Sequence, residues 1–130
     1  MTKSGFHILR VGLAITFLWV GVLILRDPLF WSGFVHPFFL DLIPLDAIKI
    51  MYATAAFDIL VGVLLLLDVY LYWVALFASM HLFTILIVAG INDITVRDIA
   101  LLGGTLALFA DRMPESWRRW LRMARQQKKA

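Results

Sequence analysis

From Val69 to Ile91 the chain runs for 23 residues without a formally charged side chain. About 20 apolar residues suffice to carry a helix across the hydrocarbon core of a bilayer. Backbone N–H and C=O groups in hydrocarbon must be satisfied internally, so a spanning run of this kind is restricted to helix. Two further segments read the same way. One covers about 48–67 and is interrupted only by Lys49 near its start and by Asp58; the other covers about 6–25, with Arg10 near its beginning. A fourth is weaker. Ile99 to Ala110 gives only 12 uncharged residues, so it spans only if Thr95, Arg97 and Asp98 stand at membrane depth or at the interface. Composition agrees: 130 residues are 62% hydrophobic, against the roughly 45–50% of a soluble domain, and a single domain of this length cannot hide that excess. The expected fold is therefore an all-α membrane protein. A four-transmembrane-helix domain occupies 1–112, with helices at about 6–25, 48–67, 69–91 and 95–111. A basic amphipathic cytoplasmic tail follows at 113–130.

Charge placement sets the expected orientation. Lys3 and Arg10 precede the first apolar run as in a signal peptide, but "LILRDPLFW" follows with no small-x-small cleavage site, so the helix is read as retained. Seven of the twelve Lys and Arg lie between Arg112 and Lys129. The positive-inside rule then places both termini in the cytoplasm, and an integral inner (plasma) membrane location is expected. The loop 26–49 and the turn "GINDITVRD" go outside, and the short link at Asp68 goes inside. The outer loop, "DPLFWSGFVHPFFLDLIP", is aromatic, carries prolines at 28, 37 and 44, and is expected to lie in the interface or dip back onto the helices. In the tail, Met113, Trp117, Trp120, Leu121 and Ala124 recur at helical spacing, with Arg118, Arg119, Arg122 and Arg125 elsewhere. That pattern fits an interfacial helix on anionic lipid headgroups, acting as an orientation anchor, with partner docking as the alternative. Nucleic acid is not an expected partner for a basic tail on so apolar a chain.

Asp58 stands inside "AAFDILVGVLLLLD". An uncompensated Asp at mid-helix costs about 2.5–3.5 kcal/mol on insertion scales, so it needs a partner or a proton. Small residues let membrane helices approach closely and point to the inward faces. These are Ala55, Asp58 and Gly62 on the second helix, Arg10, Ala14, Phe17 and Gly21 on the first, Ala78, His81 and Ile85 on the third, and Ala100, Gly104 and Ala107 on the fourth. At 1.5 Å per residue, Asp58 lies about 14 Å and His81 about 17 Å from the inner boundary, near one level, with Arg10 about 6 Å in. Three arrangements are open: Asp58 ionised and paired with Arg10, Asp58 bonded to His81, or Asp58 protonated and neutral. Arg10 has a further option, snorkelling to headgroups. The plain reading is a buried clamp that fixes helix register. The functional one is a ligand or proton site at Arg10, Asp58 and His81, where His81 suits proton exchange near neutral pH. With one central His, one Asp and no cysteine, no metal site, thiolate chemistry or disulfide is expected.

A secondary outer cluster comprises Asn92, Asp93, Arg97 and Asp98. Arg97 is placed to pair with Asp93 at i, i+4, and Asp93 to cap the fourth helix. The alternative is that Arg97 faces a cavity and binds an anionic ligand group, roofed by Trp31 and His36, although interfacial anchoring is the plainer role for those two.

Three stretches, "ILRVGLAITFLWVGVLILRDPLFW", "FDILVGVLLLL" and "ASMHLFTILIVAGINDITVRDIALLGGTLAL", together resemble the DoxX-like family of small four-helix membrane proteins. The resemblance covers residues 8 to about 110. Its elements are the Leu-Arg opening at Arg10, the run from Phe17 to Gly21, the Asp-Pro after it, Asp58 before the glycine of the second helix, His81, and the "VRDIALLG" start of the fourth. A basic residue soon after the glycine of the first helix, frequent in relatives, is absent: Gly21 is followed by Val-Leu-Ile, and Arg26 comes later. The family takes its name from a membrane component associated with thiosulfate:quinone oxidoreduction, and other relatives are linked to redox-stress complexes. The resemblance implies a four-helix bundle more firmly than an activity.

The expected role is an accessory subunit or small-molecule-binding component of a membrane redox system, with a quinone as the molecule the resemblance implies. Asp58, His81 and aromatics such as Trp19, Trp73 and Phe77 would line its pocket. No nucleotide motif is present, so the chain is not expected to be an enzyme on its own; redox activity would need a partner subunit carrying the cofactor. A small transporter, most naturally as a homo-oligomer, and a purely structural or assembly protein are the alternatives.

Overall fold

The computed structural model describes residues 1–128; Lys129, the last cation of the basic tail, and Ala130 lie outside the described residues. Helix α1, Lys3–Arg26, starts where the Thr2 hydroxyl accepts a hydrogen bond from the Gly5 N–H at 3.1 Å. It stops at Asp27, because the following proline disfavours helical geometry in the residue before it. Asp27 then caps the short helix α2, Pro28–Ser32, its carboxylate accepting from Phe30 N–H at 3.1 Å. Helix α3 is Pro37–Leu42, and three long helices follow: α4 Ala47–Leu67, α5 Leu71–Ala89 and α6 Val96–Arg112. Helix α7, Glu115–Gln127, begins after the Pro114 break.

The chain is all-helical over the described residues. Helices α1, α4 and α5 are each long and apolar enough to cross a membrane, and mark this as a membrane protein. Their ends lie within about three residues of the sequence expectation. Large apolar side chains face outward along them, such as Ile8, Ile15 and Trp19 on α1 and Leu60 and Leu67 on α4. Helix α6 has 17 residues and carries Arg97 and Asp98 in its first turn.

Two antiparallel pairs organise the long helices. Helix α1 packs chiefly on α4, and α5 on α6; contacts of α1 with α6 and of α4 with α5 join the pairs more lightly. The first pair interlocks through glycine. A Cβ on Gly21 would stand 2.7 Å from Ile59 Cγ1 and 3.0 Å from the Ala55 carbonyl oxygen. A Cβ on Gly62 would stand 2.6 Å from Leu18 Cγ and 3.0 Å from the Ala14 carbonyl oxygen. Each helix therefore lays a glycine against the other's backbone, in the manner of small-residue membrane packing. In the second pair, Ser79 Oγ donates to Thr105 Oγ1 at 2.8 Å across α5 and α6.

The inward face of α6 differs from the expected one. Ala100 and Ala107 are exposed, and the buried residues are Asp98, Thr105 and Leu108. A carboxylate and a hydroxyl gain more from inward partners than two alanines gain from close packing, so the polar residues set the rotation of the helix. Only Gly104 of the expected set is packed, against Leu13 and Leu9 of α1.

The link between α4 and α5 is tight. Asp68 (φ 59°) and Tyr70 (φ 51°) both adopt left-handed backbone geometry, at about 1–2 kcal/mol each for residues with a Cβ. The buried Arg10 compensates at this end. Its guanidinium Nη1 donates to the carbonyl of Leu65, which also accepts from Asp68 N–H at 3.4 Å, and at 3.0 Å to that of Leu66 in the last turn of α4.

Gly62→Val is expected to lower stability by about 1–3 kcal/mol through overpacking. Gly12→Ala, where nothing lies within 4 Å of the added carbon, is expected to lose none. Unfolding in denaturing detergent, followed by circular dichroism, reads both; equal loss would mean that Gly62 does not set the α1–α4 approach.

Candidate functional site

Helical spacing carries Asp58 and His81 toward the seam between the two pairs. Asp58 is 3% exposed on α4, and its Oδ1 lies 3.3 Å from His81 Nε2 on α5. The imidazole stacks obliquely on Phe57, with ring centroids 4.5 Å apart. The Asp58–His81 contact is close but misaligned: His81 Nε2 is buried and has no aligned hydrogen-bond partner. The fold places Asp58 beside His81 and away from Arg10.

Arg10 stands elsewhere. It points to the far end of α4, where its Nε lies 3.9 Å from Asp68 Oδ1, and it does not line the cavity that Asp58 and His81 reach. The reason is electrostatic: the carbonyls at the negative end of a helix dipole and a carboxylate beside them attract a guanidinium more locally than Asp58 does. Arg10 is thus separated from the expected central site.

The cavity has a volume of about 270 Å³ and runs from Asp58 and His81 toward the aromatic loop. Its walls follow helical stripes: Phe17, Val20 and Ile24 on α1, Met51 and Thr54 on α4, and Ile85 and Val88 on α5. Arg97 and Asp98 also line it, so the outer cluster and the central pair share one space. Arg97 Nε lies 3.6 Å from Asp98 Oδ1, and its guanidinium sits over the Trp31 ring at 5.6 Å from the centroid. Trp31 therefore covers the cavity with Phe34, and α2 packs back on α4. His36 does not line the cavity; it caps α3, its Nδ1 accepting from Phe38 N–H at 3.3 Å, and its backbone N–H donates to the Val88 carbonyl at 3.0 Å.

Asn92 and Asp93 take other places. Asn92 Oδ1 accepts from Ile94 N–H at 2.9 Å and Thr95 N–H at 3.0 Å, which builds the turn before α6. Asp93 is exposed, and Arg97 pairs with Asp98 rather than with it. Thr95 is the residue preceding α6, with no side-chain cap bond; its hydroxyl instead donates to the Gly90 carbonyl at 2.5 Å. The expected aromatic lining is also replaced. Trp19, Trp73 and Phe77 are each more than half exposed on the outer surface, and Phe17, Trp31 and Phe34 line the cavity. Extending the Asp58 and His81 faces by two turns toward the loop reaches Met51, Thr54, Ile85 and Val88, so spacing already carried that signal. Phe34 had none beyond its place in an aromatic loop.

The arrangement is an apolar chamber with a donor–acceptor pair at its depth and an ion pair at its side. It suits a small apolar molecule bearing a polar end. No family model, no curated protein and no solved structure matches the chain.

The chain contains no cysteine, so one introduced thiol reports the chamber cleanly. Val88→Cys is expected to react slowly with a small thiol reagent, and faster when Trp31→Ala removes the cover. Equal rates in the two backgrounds would show that Trp31 does not close the chamber.

Proposed function

We propose that the protein is a four-span membrane bundle that holds one small apolar molecule between its helix pairs, with the molecule's polar end against Asp58 and His81. The observation that carries this reading is the single cavity into which Asp58, His81, Arg97 and Asp98 all open. Helix α6 is taken as the fourth span, which returns the chain to its starting side and puts both basic ends in the cytoplasm. Helix α7 then lies in the inner interface, with Trp117, Trp120 and Leu121 toward lipid and its arginines toward anionic headgroups. The likeness to the DoxX-like family supports the four-span arrangement and makes a quinone the first molecule to test. On this reading the chain is an accessory binding component that works with a redox subunit of the same membrane.

A second reading rests on the light contact between α4 and α5, where the Asp58–His81 pair is a polar link. There the pair is a clamp that fixes the docking of the two helix pairs, and substitutions change stability alone.

Native mass spectrometry of protein extracted gently from its own membrane separates the two. The binding reading predicts a discrete bound mass in the wild type. It also predicts that Asp58→Asn weakens retention by roughly fivefold to tenfold, the value of one hydrogen bond, while helix content is kept. A bare chain in both, with the variant merely less stable, would overturn binding and leave the clamp.

A further inference from the structure

A second pocket lies at the opposite end of the helices from the aromatic loop, independent of the central chamber. It measures about 380 Å³ and is lined by Asp68, Arg112, Tyr70 and the first turn of α5 from Leu71 to Trp73. Two opposite charges share this space without meeting. Among the described residues no ion pair joins Asp68 to Arg112. Each is held by something else. Asp68 caps α4 in left-handed geometry, with Oδ1 toward Arg10 Nε at 3.9 Å. The Arg112 guanidinium lies over the Phe6 ring, 4.0 Å from its centroid. The Asp68 side chain remains 41% exposed. An acid and a base fixed apart in one pocket are complementary to a molecule carrying both charges.

Trp73, which lines the pocket, also begins an apolar track along α5. Trp73 stacks on Phe77 with ring centroids 6.4 Å apart, and Met80 follows one turn on. All three are more than half exposed and stand at i, i+4 and i+7 on the outer face of α5. A free headgroup compound has no use for such a track, whereas an acyl chain does.

We propose that this pocket binds a phospholipid whose headgroup carries a primary ammonium: the phosphate faces Arg112, the ammonium faces Asp68, and an acyl chain follows Trp73, Phe77 and Met80. The ammonium donates hydrogen bonds to the free edge of the Asp68 carboxylate, which a trimethylated headgroup is unable to do. The guanidinium supplies the phosphate contact in either case.

The test is native mass spectrometry of the full chain in detergent, titrated with phosphatidylethanolamine, phosphatidylcholine and phosphatidylglycerol of identical acyl chains. The wild type is expected to retain phosphatidylethanolamine about fivefold more strongly than phosphatidylcholine, the value of one exposed charge-assisted contact. Asp68→Asn is expected to erase that preference and leave residual binding of both. Arg112→Gln is expected to weaken all three lipids. Equal retention of phosphatidylethanolamine and phosphatidylcholine by the wild type would overturn the proposal, and so would a preference for phosphatidylglycerol or one that survives Asp68→Asn. The wild-type lipid comparison decides the matter even if a variant fails to fold.

Discussion

The α1–α4 interlock is the constraint on which the remaining structure depends. Gly21 and Gly62 each take up a position where a side chain would collide with the other helix, so the two backbones touch and the pair forms one wall. Helices α5 and α6 make a second wall, tied by Ser79 and Thr105. Because the walls meet each other less closely than the helices within each wall, a chamber is left between them. Its polar residues come from both sides: Asp58 from the first wall, and His81, Arg97 and Asp98 from the second.

Buried polar groups explain how the walls are held. A polar atom in an apolar interior costs free energy unless a partner replaces water. Arg10 satisfies that demand at the end of α4, Ser79 and Thr105 satisfy each other, and Thr95 bonds back to Gly90. Two buried side-chain nitrogens are left without an aligned partner among the described residues, Arg10 Nε and His81 Nε2. Arg10 has other nitrogens engaged. His81 Nε2 is shielded beside Asp58, 3.3 Å from its Oδ1, while both residues line the chamber at its depth.

Much of this was legible in the sequence, and the failures have physical causes. Uncharged length alone located α1, α4 and α5, because a bilayer leaves so few options. Depth counting brought Asp58 and His81 to one level, since helical rise is nearly constant. The faces read from small residues held on α4, where Ala55 and Gly62 are buried, and failed on α6, where Asp98 and Thr105 took the inward side. Small residues permit close approach, but hydrogen bonds decide which face uses it. Arg10 and the pairing of Arg97 were misplaced for a related reason. Long cationic side chains reach several partners, and the choice falls to helix ends and adjacent carboxylates that spacing does not rank. Trp31 over Arg97 depended on how a proline-rich loop folds back, a tertiary fact that its local sequence left open.

The decisive measurement is a structure of the protein purified from its own membrane, with side chains and bound molecules resolved. Elongated non-protein density is expected in the chamber, with one end within hydrogen-bond distance of Asp58 and His81 and the other beneath Trp31. A chamber closed by direct packing of α4 on α5, with no such density, would contradict it.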